Sequence, residues 1–204
     1  MIENLGTPAV VMLIGALISA AGAILAAQQQ AISEKELRQK SDEIAELNRQ
    51  IASSITGGDS FAYIVPMFLD NSIVLSVIHQ GKHPLYDLDV RIVDLFRFEK
   101  MVKQNYSWSD MQRDEIHIRI GNIAPGQANM LQPIQVHAEP IRWNIFFSAR
   151  NGFFDELLRV RRVGNEWKTA VRVSNNPTPG ERKTLFEKVD QGYPVGDDGQ
   201  VMWE

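Results

Sequence analysis

The densest group of reactive side chains lies in HQGKHPLYD, where His79, His83 and Asp87 offer two imidazoles and a carboxylate. Such ligands hold transition metals, and H-x-x-x-H puts both rings on one face of a helix. Gly81 and Pro84 argue against a helix here, so the spacing loses its meaning and the group reads as a strand turn. No metal or cofactor is called for. His117 and His137 fall at outward positions of strands. The chain has no cysteine, which excludes disulfides, a thiolate nucleophile and Cys-based metal sites. There is neither a G-x-S-x-G elbow nor a locally definable Ser, His and acid arrangement. ITGGDS lacks the spacing of a phosphate loop and the strand that should precede one. The expectation is a protein that is not an enzyme.

A second pattern is electrostatic. Arg142, Arg150, Arg159, Arg161, Lys168 and Arg172 belong to the polar faces of three successive predicted strands, with Arg162 beside them. Paired as a meander, those strands would gather one basic surface. Near an anionic leaflet it would gain about 1 kcal/mol per Lys or Arg; it could instead receive an acidic partner or nucleic acid. The competing reading is a solvated face balanced by Asp155, Glu156 and Glu166. A net charge of −4 gives no general reason to expect nucleic acid, so a protein is the expected partner.

The elements that must position these residues are mostly strands. FAYIVPMFL and IVLSVIH flank an Asp-Asn-Ser turn, with Pro66 marking an edge or bulge. In YDLDVRIV, Tyr86, Leu88, Val90 and Ile92 share one face; in EIHIRIG, Ile116, Ile118 and Ile120 do so. IRWNIFFSA places Ile141, Trp143, Ile145 and Phe147 together, and Asn151-Gly152 is the dipeptide of a two-residue hairpin. FFDELLRVRRV and EWKTAVRV complete a meander, and residues 97–114 form a long loop or a short helix. Short turns between strands predict an antiparallel sandwich over residues 61–174.

Before the strands the periodicity is helical. After a flank of residues 1–7, residues 8–27 carry no charge and, at 1.5 Å per residue, cross about 30 Å of hydrocarbon as a transmembrane helix. The n-region has Glu3 and no Lys or Arg, and the span exceeds the apolar stretch of a secretory signal, which favours a retained anchor over a cleaved leader. Lys35, Arg38 and Lys40 on the far side predict N-out topology with the β domain cytosolic, the alternative being periplasmic. Gly15, Ser19 and Gly22 form a small-residue face suited to helix association. Residues 28–56 continue as a helical, coiled-coil-like stalk, with Leu37, Ile44, Leu47 and Ile51 on one stripe. Those two sets predict a homo-oligomer. Gly57 and Gly58 end the helix in a junction over residues 57–60, and residues 175–204 read as a turn-rich acidic tail, partly disordered after Gln191. Within it, Met202-Trp203 is a docking point on the sandwich or a peptide ligand for a partner.

VIHQGKHPLYDLDVRIVD followed by IGNIAPGQANMLQPIQV resembles bacterial immunoglobulin-like modules, with strand, Gly-Pro turn, strand and a later Pro-Gly turn. Anchor, stalk and domain together resemble uncharacterised single-pass bacterial membrane proteins. The resemblance implies an immunoglobulin-like sandwich and carries no catalytic motif. The expected function is a membrane-anchored interaction or scaffold module at a bacterial inner membrane. The competing classes are a sensor or accessory subunit of a larger complex, and an enzyme or metal-dependent site around His79, His83 and Asp87.

Overall fold

The computed structural model describes residues 6–69, 72–135, 139–178 and 180–203 of the 204-residue chain. Two compact units divide it, Met1–Ile51 and Ala52–Glu204. The first is helical throughout its described length. It belongs to α1 (Gly6–Thr56), a single 51-residue helix with no break where the apolar sequence turns charged. Val11, Leu13, Leu17, Ile18, Ile24 and Leu25 are all more than half exposed, so these side chains are not buried against the described residues. Among the described residues this is the one helix long and apolar enough to cross a membrane. Leu37, Ile44, Leu47 and Ile51 are exposed as well.

The second unit begins with the last turn of α1 and is built of antiparallel sheets. β1 (Phe61–Leu69) pairs along its length with β2 (Ser72–Gln80), which also pairs with the short β5 (Ala128–Met130) and β6 (Ile134–Gln135). Pro66 is tolerated because β1 is an edge strand, where a missing N–H costs no ladder bond. The larger sheet takes β3 (Leu85–Asp94), β4 (Ile116–Ile123), β7 (Ile141–Ala149), β8 (Gly152–Val163), β9 (Glu166–Thr178) and β10 (Glu181–Val189) in the order β10-β9-β8-β7-β3-β4. The expected meander over residues 141–173 is present and runs one strand further. The sheet therefore extends into the stretch read from sequence as tail.

Alternation sets what each face meets. Ile145 lies between Ile92 of β3 and Glu156 of β8, so all three point the same way, toward the smaller sheet. Ile64, Leu75 and Val77 from that sheet and Ile92, Trp143, Ile145, Leu158 and Val173 from the larger one share a single hydrophobic core. Each fully buried aliphatic side chain contributes about 1.5–3 kcal/mol of transfer free energy.

Residues 97–114 resolve into helical structure rather than loop, as α2 (Leu95–Lys103) and α3 (Trp108–Asp114). Asp94 starts α2 as its N-cap, its Oδ1 accepting from the N–H groups of Phe96 (2.9 Å) and Arg97 (3.3 Å). Ser107 does the same for α3 through the N–H of Asp110.

Candidate functional site

The histidine group is built into a clamp. His79, next to last in β2, is almost wholly buried, and its Nε2 lies 2.7 Å from the His83 carbonyl oxygen. A carbonyl can only accept, so Nε2 donates and offers no lone pair to a metal. The His83 N–H donates to Ser60 Oγ (3.0 Å), and Asn151 Nδ2 donates to the carbonyls of Gly58 (3.1 Å) and Ser60 (2.6 Å). Asp87 sits in a bulge of β3 at φ 55° and pairs with Arg150, whose Nη2 is 2.8 Å from Oδ2. Arg150 also stacks over Tyr86 (4.8 Å) and donates to the Ile55 carbonyl (3.4 Å). The turn before β3 and the β7–β8 hairpin thus grip residues 55–60. His79, His83 and Asp87 hold this junction instead of converging, and among the described residues no group of three His, Asp or Glu is placed to bind a metal ion. His137 lies outside the described residues.

The basic face is also reorganised. Arg142 pairs with Glu99 of α2, Lys168 with Glu166 and Arg172 with Glu187 of β10, each at 2.7 Å, while Arg150 belongs to the clamp. Four of the six expected basic residues are therefore locally neutralised. Arg159 was expected outward on the sheet, and it is only 2% exposed. Strand parity does place it on the face away from the core, opposite Arg142 and Ala170. What covers it is the end of the chain.

Residues 190–203 lie over this part of the sheet. Asp190 anchors one end, its Oδ2 accepting from the Thr169 N–H (2.8 Å) and hydroxyl (2.7 Å). Tyr193 is buried beside Arg161, and the Trp203 ring lies 4.3 Å from the Arg172 guanidinium. Arg159 donates through both Nε (3.1 Å) and Nη2 to the Trp203 carbonyl. Its other bonds go to the carbonyls of Trp143 (2.7 Å) and Leu158 (3.1 Å) and to Asn144 Oδ1 (2.9 Å). Burial lowers the guanidinium's pKa to about 10. Burial likewise raises that of the Tyr193 phenol, against the opposing pull of Arg161 and Arg159. The tail is thus docked on the sheet through Trp203.

On the core side the surprise is Glu156. Counted from sequence among the solvated acids, it is fully buried between the sheets. Its Oε2 accepts from the Ile64 N–H (2.7 Å), and Oε1 has no partner. Burial raises its pKa well above the usual carboxylate range, opposed by that one hydrogen bond. Parity was the available signal, because Glu156 alternates with Phe154, Leu158 and Val160.

One open cleft of about 820 Å³ lies toward the β7–β8 turn, lined among others by Arg91, His117, Phe146, Phe153 and Asp155. Phe153 is 80% exposed, and Arg91 covers the Phe146 ring at 4.3 Å while pairing with Glu115 (3.1 Å).

Helix and domain together define a class: a long exposed apolar helix joined to a β domain of two antiparallel sheets around one core. Comparison takes the assignment no further, since no protein-family model, curated protein or solved structure matches the chain.

Proposed function

We propose that the protein is a non-enzymatic, single-pass inner-membrane protein whose β domain binds a protein partner and acts as an interaction or scaffold module. The observation that carries this reading is the unbroken helix α1, with its apolar first half exposed and its last turn gripped by the β domain's own hairpins. An apolar helix surface of that length is stable in lipid and not in water. The lysines and arginine after the span favour N-out topology, with the β domain in the cytosol. Gly15, Ser19 and Gly22, then Leu37, Ile44, Leu47 and Ile51, supply the faces for a homo-oligomer, whose copies raise avidity for a partner. A Cβ at Gly15 or Gly22 would meet nothing within 4 Å in the single chain, which leaves room for a neighbouring helix. The sequence pattern VIHQGKHPLYDLDVRIVD and IGNIAPGQANMLQPIQV supports an immunoglobulin-like sandwich as the finer reading of the domain.

Affinity purification from native membranes tests the reading, with a stable protein partner expected. Recovery of the protein in the soluble fraction after carbonate washing would refute the anchor. Digestion of the β domain from outside spheroplasts would refute the topology, and cross-linking that yields only monomers would refute the oligomer. A second reading, a sensor or accessory subunit, is favoured by the clamp at residues 55–60, which ties the helix end to two hairpins of the domain.

A further inference from the structure

The face of the six-stranded sheet away from the core holds arginines under a strap made by the chain's own end. We propose that this face is a docking site for an acidic segment of a partner protein, read by the Arg159 guanidinium, and that residues 192–203 are its built-in competitor. The proposal rests on the reading of the β domain as a partner-binding module, and it names the site and the partner's chemistry.

Charge complementarity identifies the occupant. From Asp190 to Trp203 the chain carries Asp190, Asp197 and Asp198 and no Lys or Arg, so the segment seated there is net acidic and docks through an aromatic residue, Trp203. Arg159 and Arg161 have no Asp or Glu ion-pair partner among the described residues, in contrast to Arg142, Lys168 and Arg172. Two donors of Arg159 converge on one neutral oxygen, the carbonyl of Trp203. A carboxylate matches that fork with two oxygens, and such charge-assisted pairs are roughly twice as strong as bonds to a neutral acceptor. The described residues of the strap therefore meet Arg159 with a weaker acceptor than a partner's Asp or Glu side chain can offer.

The strap is also made to come off. It is fixed at its ends, by Tyr193 near the start and Trp203 at the finish. Between them Val195, Asp197, Asp198, Gly199, Gln200 and Met202 are exposed. Its internal hydrogen bonds belong to its own turn, from the Gly196 N–H to the Gln200 carbonyl (2.8 Å) and from the Gly199 N–H to the Gly196 carbonyl (2.9 Å). A segment with so few buried apolar contacts opens at low free energy. Because it is tethered, it competes at millimolar effective concentration, so the intact chain binds an incoming peptide weakly until the strap is displaced.

The test uses the full-length chain in detergent micelles, titrated with a fluorescein-labelled peptide, DDGQVMWE, and read by anisotropy. Trp203→Ala, and a chain ending at Gln191, are expected to bind the peptide at least tenfold more tightly than the intact protein. Adding Arg159→Met to either is expected to weaken binding at least tenfold. Arg159→Lys, which keeps the charge and loses the fork, is expected to fall between. Equal affinity for intact and strap-released forms would overturn the competition, and indifference to both Arg159 variants would overturn the site. A fall in particle size on removing the strap would seat a second copy's tail there and overturn the assignment to a separate partner. Purification of the intact chain from membranes judges the interaction-module reading separately, since the peptide titration needs no natural partner.

Discussion

Replacing Glu156 by Gln is expected to stabilise the β domain progressively as pH rises. The side chain points into the core between Ile145 and Val173, takes one hydrogen bond from the Ile64 N–H at 2.7 Å, and leaves Oε1 without a partner. Gln keeps the shape and the oxygen that accepts from Ile64, and it cannot ionise. Because burial holds the folded pKa well above the unfolded value of 4.5, the folded state retains a proton that the unfolded state has released. Stability of the native sequence therefore falls as pH climbs from the unfolded pKa toward the folded one, by about 1.4 kcal/mol per pH unit. The Gln variant lacks that slope. For a domain of this size 1 kcal/mol moves Tm by about 2–4 °C, so the Tm difference between Gln and Glu should widen by about 3–6 °C per pH unit through the window. Thermal unfolding of the full-length proteins in detergent at pH 5, 6 and 7 reads this directly. Parallel pH profiles would refute the reasoning, because they would mean that the carboxyl is hydrated or otherwise satisfied in the fold. Glu156→Leu serves as the contrast: it removes the charge but orphans the Ile64 N–H, at about 1–3 kcal/mol.

Gly81→Ala is expected to destabilise by about 2–5 kcal/mol in thermal unfolding, since its φ is +125° and the new Cβ would lie 2.7 Å from the Ser60 Cα. Asp94→Ala removes the N-cap of α2 and the acceptor, 3.2 Å away, for the Trp143 indole N–H. A loss of about 1–3 kcal/mol is expected, with a change in the tryptophan emission maximum as the readout. Arg150→Ala should cost no more than about 1 kcal/mol, because its pair with Asp87 is solvent-screened, yet it should speed amide exchange around residues 55–60.

How much of this was legible depends on whether a residue's burial is decided by its own strand. The parity of Ile141, Trp143, Ile145 and Phe147 foretold the inner face of β7, and Asn151-Gly152 foretold its hairpin. The uncharged run before Gln28 foretold a long helix continuous with the stalk. Parity also marks Glu156 as inward, on the same alternation as Phe154, Leu158 and Val160, against its reading as one of the solvated acids. His79, His83 and Asp87 were recognised as a turn, while their grip on residues 55–60 depends on contacts with Ser60 and Arg150 that no local spacing encodes. The helices of residues 95–114 are short and capped by Asp94 and Ser107, and those caps are the local signal that decides between the long loop and the short helix left open by the sequence.

Arg159 shows a different limit. Its parity was read correctly, and the error lay in equating the outer face of a sheet with water. Around Arg159 β8 has both faces covered, by the smaller sheet on one side and by the strap on the other. That is why Ala170, its neighbour across the ladder on the same outer face, is fully buried too. A sheet used as a middle layer reads as amphipathic in sequence whenever its second cover is polar, because the covering segment satisfies charges instead of excluding them. The outward arginines and the acidic end of the chain were both visible, and their complementarity was the clue that they belonged together. Such a cover is held by hydrogen bonds to a cation more than by apolar area, so it can be exchanged for another acceptor at small cost. On the docking proposal, the contact that hides Arg159 from solvent is the one that a partner's carboxylate would replace.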